Sequence, residues 1–318
     1  MNRAEFPRAL MLAALCAAAG CGAVKTAAIK TVADTLAAPG DTFTADNDPE
    51  LVRRAVPFAL KLQESLLASI PKHEPLLLST CSGYTGYAYA FVETDADLLS
   101  EVDHHDEIAA LRDEAETLYV RARDYCFRAM DQRFPGMKEE LTRAPAAAIK
   151  RATKKEDVPL LYWTAASWGA AMAVHKDPTL VIDFPAVRAL AERALELDAA
   201  WNGGALHELL LGLDAQGEMY GGSEAAARKH FDAAIKIQEG HLAGPYVSLA
   251  MSVSLPKGDR AEFEQLLLQA IAVDPEKRKS NRLVNLIAIR RAKALLARID
   301  ELLPKRPDVA AGFSRPRP

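Results

Sequence analysis

The chain has 318 residues, half of them hydrophobic, and 39 Lys and Arg stand against 43 Asp and Glu for a net charge of −4. That length supports a sizeable core in one large domain or two small ones. A mildly acidic chain with no basic block is a poor candidate for nucleic acid, and it has no polybasic stretch to hold it to anionic lipid.

At the N-terminus, Arg3 and Arg8 precede Leu15-Cys16-Ala17-Ala18-Ala19-Gly20-Cys21. A positive start, roughly 11 apolar residues, small residues and then Cys is the layout of a bacterial lipoprotein signal. Residues 1–20 are therefore expected to leave as a signal peptide, and Cys21 to open the mature chain as its lipidated residue, outside the cytoplasm. Gly22, rather than Asp, follows Cys21, which points to the outer membrane on the periplasmic side. No later stretch reaches the roughly 20 apolar residues of a membrane span, so membrane attachment is expected through acyl chains alone. Cys16 leaves with the signal. Cys81 and Cys126 can pair in an oxidising compartment, but the sequence does not bring them together and favours two buried thiols.

Residues 21–45 read as a lipidated tether, with weak helical spacing over 26–36. Asp48 as N-cap and Pro49 at the first helical position then start a helix carrying Leu51, Ala55, Phe58 and Leu62 on one face and stopping near Pro71. Pro75 starts the next, and the aromatic segment Tyr84–Val92, with Tyr84, Tyr87, Tyr89 and Phe91, continues as helix. Helical spacing recurs over 106–133, 158–175, 185–198, 204–215, 223–238, 245–253, 260–273 and 280–303. Strand-like alternation is nearly absent. The fold class is all-α.

Three segments repeat one another: Arg193-Ala194-Leu195-Glu196-Leu197-Asp198, Ala233-Ala234-Ile235-Lys236-Ile237-Gln238 and Gln269-Ala270-Ile271-Ala272-Val273-Asp274. Their aligned alanines, 194, 234 and 270, lie 40 and 36 residues apart. Phe127-Arg128-Ala129-Met130 is a weaker fourth copy. A small residue in the middle of an amphipathic helix is the mark of a tetratricopeptide-like pair, in which neighbouring helices approach closely. We read 46–303 as a helical-repeat solenoid or bundle with additional N-terminal helices, and 304–318, rich in Pro and Arg, as a disordered tail. A generic Ala-rich bundle is the alternative.

Catalytic motifs are missing at the places that suggest them. His207-Glu208 opens like a zinc-protease helix, but Leu211 stands where the second His is needed. His104-His105, between Asp103 and Asp106, points in two directions on a helix, and a solvated acidic helix start is the plainer reading. Gly221-Gly222-Ser223 reads as a tight turn with Ser223 as N-cap. These residues call for no catalytic role, no cofactor and no metal. The helix over 160–174 is apolar nearly all round and carries Tyr162, Trp163 and Trp168; it is either buried on both sides or lines an apolar groove. Trp163 and Trp168 are the first candidates for such a groove, followed by Tyr162, Tyr87 and Asn285.

Several blocks of the chain resemble the T-component family of tripartite ATP-independent periplasmic (TRAP) transporters. They are Asp46 to Lys61; Leu76-Leu77-Leu78 with the Tyr84–Val92 segment; Leu118-Tyr119 with Arg121 to Tyr125; Leu161-Tyr162-Trp163 through Trp168; Gly221-Gly222 with Ala226, His230-Phe231 and Ala234; and Leu283-Val284-Asn285 before Ala292. The resemblance covers roughly residues 21–303 in order. It implies an accessory lipoprotein that associates with the periplasmic solute-binding protein of a TRAP transporter, with a small hydrophobic or organic-acid ligand as a further occupant; self-association stays open. Two other classes stay open as well: a helical-repeat scaffold lipoprotein for envelope assembly, since fold does not fix function, and a hydrolase built on His207 or His230.

Overall fold

The computed structural model describes residues 25–38, 40–175 and 180–305. The lipidation candidate Cys21, the signal segment and the chain beyond Lys305 lie outside them. The regular structure of the described residues is entirely helical, with no strand among them. The helices are α1 (25–37), α2 (Pro49–Ser69), α3 (Glu74–Tyr87), α4 (His105–Arg133), α5 (Val158–His175), α6 (Phe184–Leu197), α7 (Ala205–Asp214), α8 (Glu224–Gln238), α9 (Gly244–Leu249), α10 (Arg260–Ile271) and α11 (Arg282–Ala297), with short helical turns between them.

Local chemistry sets their ends. Asp48 accepts hydrogen bonds from the N–H groups of Glu50 and Leu51, and Ser223 from Ala226, so both act as the N-caps read from sequence. His73 caps α3 by accepting from the Leu76 N–H at 3.2 Å, while its Nε2 meets Asp34 of α1 at 3.0 Å. With Ala33 fully buried, these contacts seat part of the segment read as a tether on the body of the protein.

Two of the helices do not stay α-helical. α3 runs into a π segment, Ala88–Glu93, and then a last turn, Thr94–Leu98; α9 runs into a second π segment, Ala250–Ser254. A π segment adds a residue to a turn and re-aims the side chains that follow.

Neighbours in sequence pack as neighbours in space, from α2 on α3 round to α10 on α11, and α11 then packs on the Thr94–Leu98 turn and on α2. The helices therefore close into a ring. One core body includes Leu77, Met130, Leu161, Leu190 and Leu206, and a second includes Leu211, Val247, Phe263 and Leu295. A smaller cluster of Val52, Phe91, Leu283 and Ile287 joins the first helices to the last. The repeat alanines Ala194, Ala234 and Ala270, and Ala129 of the weaker copy, are all fully buried, which suits helices in close approach.

Two expectations change. The Leu51, Ala55, Phe58 and Leu62 stripe of α2 faces outward, with Phe58 75% exposed; Val52, Leu60, Gln63 and Leu67 form the buried face. Cys81 and Cys126 are not two thiols but a disulfide joining α3 to α4, with Cα atoms 5.4 Å apart.

Candidate functional site

The ring encloses a polar and aromatic interior. Tyr89, in the π segment after α3, receives a hydrogen bond on its hydroxyl from Arg291 of α11 at 3.3 Å, and the guanidinium sits 5.6 Å from the centre of its ring. The Thr94 hydroxyl donates to the Tyr89 carbonyl at 2.9 Å, which satisfies a carbonyl in the altered helical turn. Arg291 also pairs with Asp97 and lies 3.9 Å from Glu93. Glu93 in turn accepts from the Tyr119 hydroxyl of α4 at 2.6 Å.

Glu208 of α7 lies within electrostatic reach of Arg291 and Tyr89. Its Oε1 accepts from the Ser248 hydroxyl of α9 at 2.7 Å. Gly244 makes room for it, because a Cβ there would come within 2.8 Å of that oxygen. Tyr162 of α5 completes the group, with its ring 4.7 Å from that of Trp201 and 4.9 Å from that of Trp163.

Burial is the largest influence on each of these groups. It pushes the Glu208 carboxyl up, against the Ser248 hydrogen bond and the Arg291 charge that favour its ionised form. It also pushes the phenols of Tyr89 and Tyr162 up, and the Glu208 charge adds to the shift at both. Yet Tyr89 keeps 38% of its surface accessible, and Tyr162, Glu208 and Ser248 are also partly accessible. Side chains that are deep in protein but still reached by solvent line an internal space. Aromatic walls carrying a few convergent polar groups are the usual make-up of a small-ligand site.

Of the residues singled out from sequence, Tyr162 is in this group. Trp163 touches Tyr162 and also packs beside the disulfide cluster. Tyr87 packs against Phe91 at 5.4 Å and borders three apolar clusters. Trp168 is 3% exposed in the main core, edge-on to Phe127 at 4.9 Å, and so forms no open wall. Asn285, 1% exposed, is a clamp: it accepts from the Ala243 N–H and donates to the His241 carbonyl, each at 3.0 Å. Glu208, Ser248 and Arg291 were missed as site residues. The sequence signal for Glu208 was available, since with His207 it interrupts the leucine-rich run Leu206 to Leu213.

The histidines form a separate pair. His207 Nδ1 and His230 Nδ1 are 2.8 Å apart, so one ring donates and the other accepts. His230 Nε2 lies 3.6 Å from Asp214, whose other oxygen is held by Arg188 at 2.8 Å. Burial pushes both imidazoles down, and Asp214 opposes this at His230. His104 flanks the start of α4, with Nδ1 3.2 Å from Glu107. No cluster of three metal-ligating side chains occurs among the described residues, and no described helix is long and apolar enough to cross a membrane.

Residues 45–303 match the family described as TRAP transporter T-component. The chain is also similar to an uncharacterized protein of Treponema pallidum (strain Nichols), 28% identical over 264 residues that cover 81% of each chain.

Proposed function

The chain belongs to the TRAP transporter T-component family, and from that premise we propose that it is a lipid-anchored lipoprotein on the periplasmic face of the envelope. There it engages the transporter's solute-binding protein and holds a small ligand inside its helical ring. Its family role is that of a transport accessory. The observation that supports a ligand is the accessible interior bounded by Tyr89, Tyr162, Glu208 and Ser248, groups drawn from four separate stretches of the chain. An anchor at Cys21 would serve this role by raising the local concentration of both partners near the membrane.

The test uses the lipidated chain and the TRAP solute-binding protein of the same cell. Analytical ultracentrifugation of the two purified proteins should give a discrete complex. In cells, Cys21→Ala should release a folded chain that no longer supports uptake. Two proteins that sediment independently at every concentration tried would overturn the partner reading. Full uptake by the soluble form would remove the anchor from the mechanism.

A further inference from the structure

The side chains facing the interior are unequal in charge, and this bears on what the space can hold; the argument rests on the reading that it holds a ligand. Arg291 is the cation whose charge favours the ionised form of Glu208. It is already committed: Asp97 pairs with it, Glu93 lies 3.9 Å away, and Tyr89 takes up its Nη1. Asp97, Glu93 and Glu208 thus all draw on this guanidinium, and only Glu93 feels a second cation, Arg112. Glu208 has the smallest share, since its Oε1 accepts from Ser248 and its Oε2 accepts from no described residue. An ionised carboxylate offers about four acceptor positions, and a described residue fills only one of those on Glu208.

The aromatic surroundings carry the same sign. Tyr162 lies within electrostatic reach of Glu208 and stacks obliquely with Trp201. The faces of Tyr and Trp rings attract cations, most strongly where water is scarce. A carboxylate entering here would meet Glu208, then Asp97 and Glu93 behind a guanidinium that is already neutralised. An ammonium group would meet an open carboxylate oxygen and aromatic faces.

We propose that the interior selects a ligand bearing a cationic ammonium group rather than an organic acid, with Glu208 as its counter-ion and Tyr162 as its aromatic face. Gly244 belongs to the same device, because any larger residue there would displace the Glu208 carboxylate.

The test titrates the intact chain with three probes of similar size: butylammonium, butyrate and 1-butanol. Calorimetry and the tryptophan fluorescence of Trp201 and Trp163 report binding. The ammonium probe should bind at least tenfold tighter than butyrate. Glu208→Gln, which keeps the Ser248 hydrogen bond, should lose that preference, with ammonium affinity falling tenfold or more and butanol unaffected. Tyr162→Leu should weaken the ammonium probe several-fold and leave butanol nearly unchanged. Butyrate binding as tightly as the ammonium probe would overturn the charge assignment and leave the ligand-holding interior standing. Equal binding of all three, indifferent to Glu208→Gln, would do the same. No binding of any probe would overturn this inference and the ligand reading together.

Discussion

The Leu283 N–H donates to the Thr44 carbonyl at 2.9 Å, which fastens the start of the last long helix to the segment just ahead of α2. Nearby, Arg282 reaches the Ala45 carbonyl at 2.9 Å, Arg290 pairs with Glu50, and Arg298 donates to the Asp97 carbonyl at 3.0 Å. Arginines of the C-terminal helices thus stitch a seam that the apolar cluster of Val52, Phe91, Leu283 and Ile287 fills. The most buried of these arginines is Arg291, only 9% exposed. Removing it leaves Asp97 without its paired cation and Glu93 with only the weaker influence of Arg112. Arg291→Met should therefore cost about 3–5 kcal/mol, read as a lower denaturation midpoint. Adding Asp97→Asn should recover part of the loss, since the two residues act as a pair. Simple additivity of the two costs would show that the seam is held by packing alone.

The Cys81–Cys126 disulfide closes a loop with a sequence separation of 45 and ties α3 to α4. Loop-closure entropy for that length gives about 4 kcal/mol on the chain-entropy model. Replacing both cysteines by Ala should lower stability by a few kcal/mol and leave the helical content unchanged. A double variant with an unaltered midpoint would mean that the bond contributes nothing beyond the packing around it.

Trp168 and Tyr162 sit on one helix with opposite fates, and they mark how far the sequence could be read. α5 was delimited correctly, as were the caps at Asp48 and Ser223, because those signals are local: an apolar run, a side-chain acceptor, a proline at the first turn. The sequence could not choose between the stripes of α5, since a helix that is apolar nearly all round looks the same whether it faces core or cavity. α2 shows the same ambiguity. Its Leu51–Phe58 stripe and its Val52–Leu60 stripe both follow helical spacing, and only the second is covered. The Tyr89–Arg291 contact spans a sequence separation of 202; periodicity carries no information about such a pair. The Glu208 site was hidden for that reason, although its glutamate in a leucine-rich run was visible.

Trp168→Ala should accordingly act on stability. The ring is packed edge-on against Phe127 in the main core, and emptying such a site costs about 3–5 kcal/mol. The expected result is a large fall in melting temperature, with the fraction that stays folded binding the solute-binding protein normally. Normal stability with lost binding would return Trp168 to an open groove.

The carboxyls set opposite pH dependences. Burial raises Glu208 and Glu93, so between the unfolded value near pH 4.3 and the raised folded value, above which both are ionised, the folded protein holds protons there that the unfolded chain gives up. The stability this provides is complete below that unfolded value and is lost as pH rises through the folded one. Glu262, lowered mainly by its hydrogen bond from Arg228, works the other way and loses its contribution as pH falls through its folded value. Glu208→Gln should become more stable relative to the parent as pH climbs through the Glu208 window, by up to about 1.4 kcal/mol per pH unit. A stability difference that stays constant across that range would show that Glu208 does not titrate differently in the two states.

Two glycines offer a paired test of close packing. A Cβ on Gly222 would fall 2.5 Å from the Cα and the carbonyl oxygen of Asp214, whereas one on Gly212 would meet nothing within 4 Å. The obstacle at Gly222 is backbone, and Asp214 is itself held by Arg188, so neither side can yield cheaply. Gly222→Ala should destabilise by about 1–3 kcal/mol. It should also disturb the His207–His230 pair, because Asp214 borders His230 at 3.6 Å. Gly212→Ala, inside α7, should instead stabilise by about 0.5–1 kcal/mol, since alanine is the better helix former and the position is open. Denaturant melts of the two variants should move in opposite directions. Equal and opposite signs to those expected would mean that the turn at Gly221-Gly222 packs less closely on α7 than its geometry indicates.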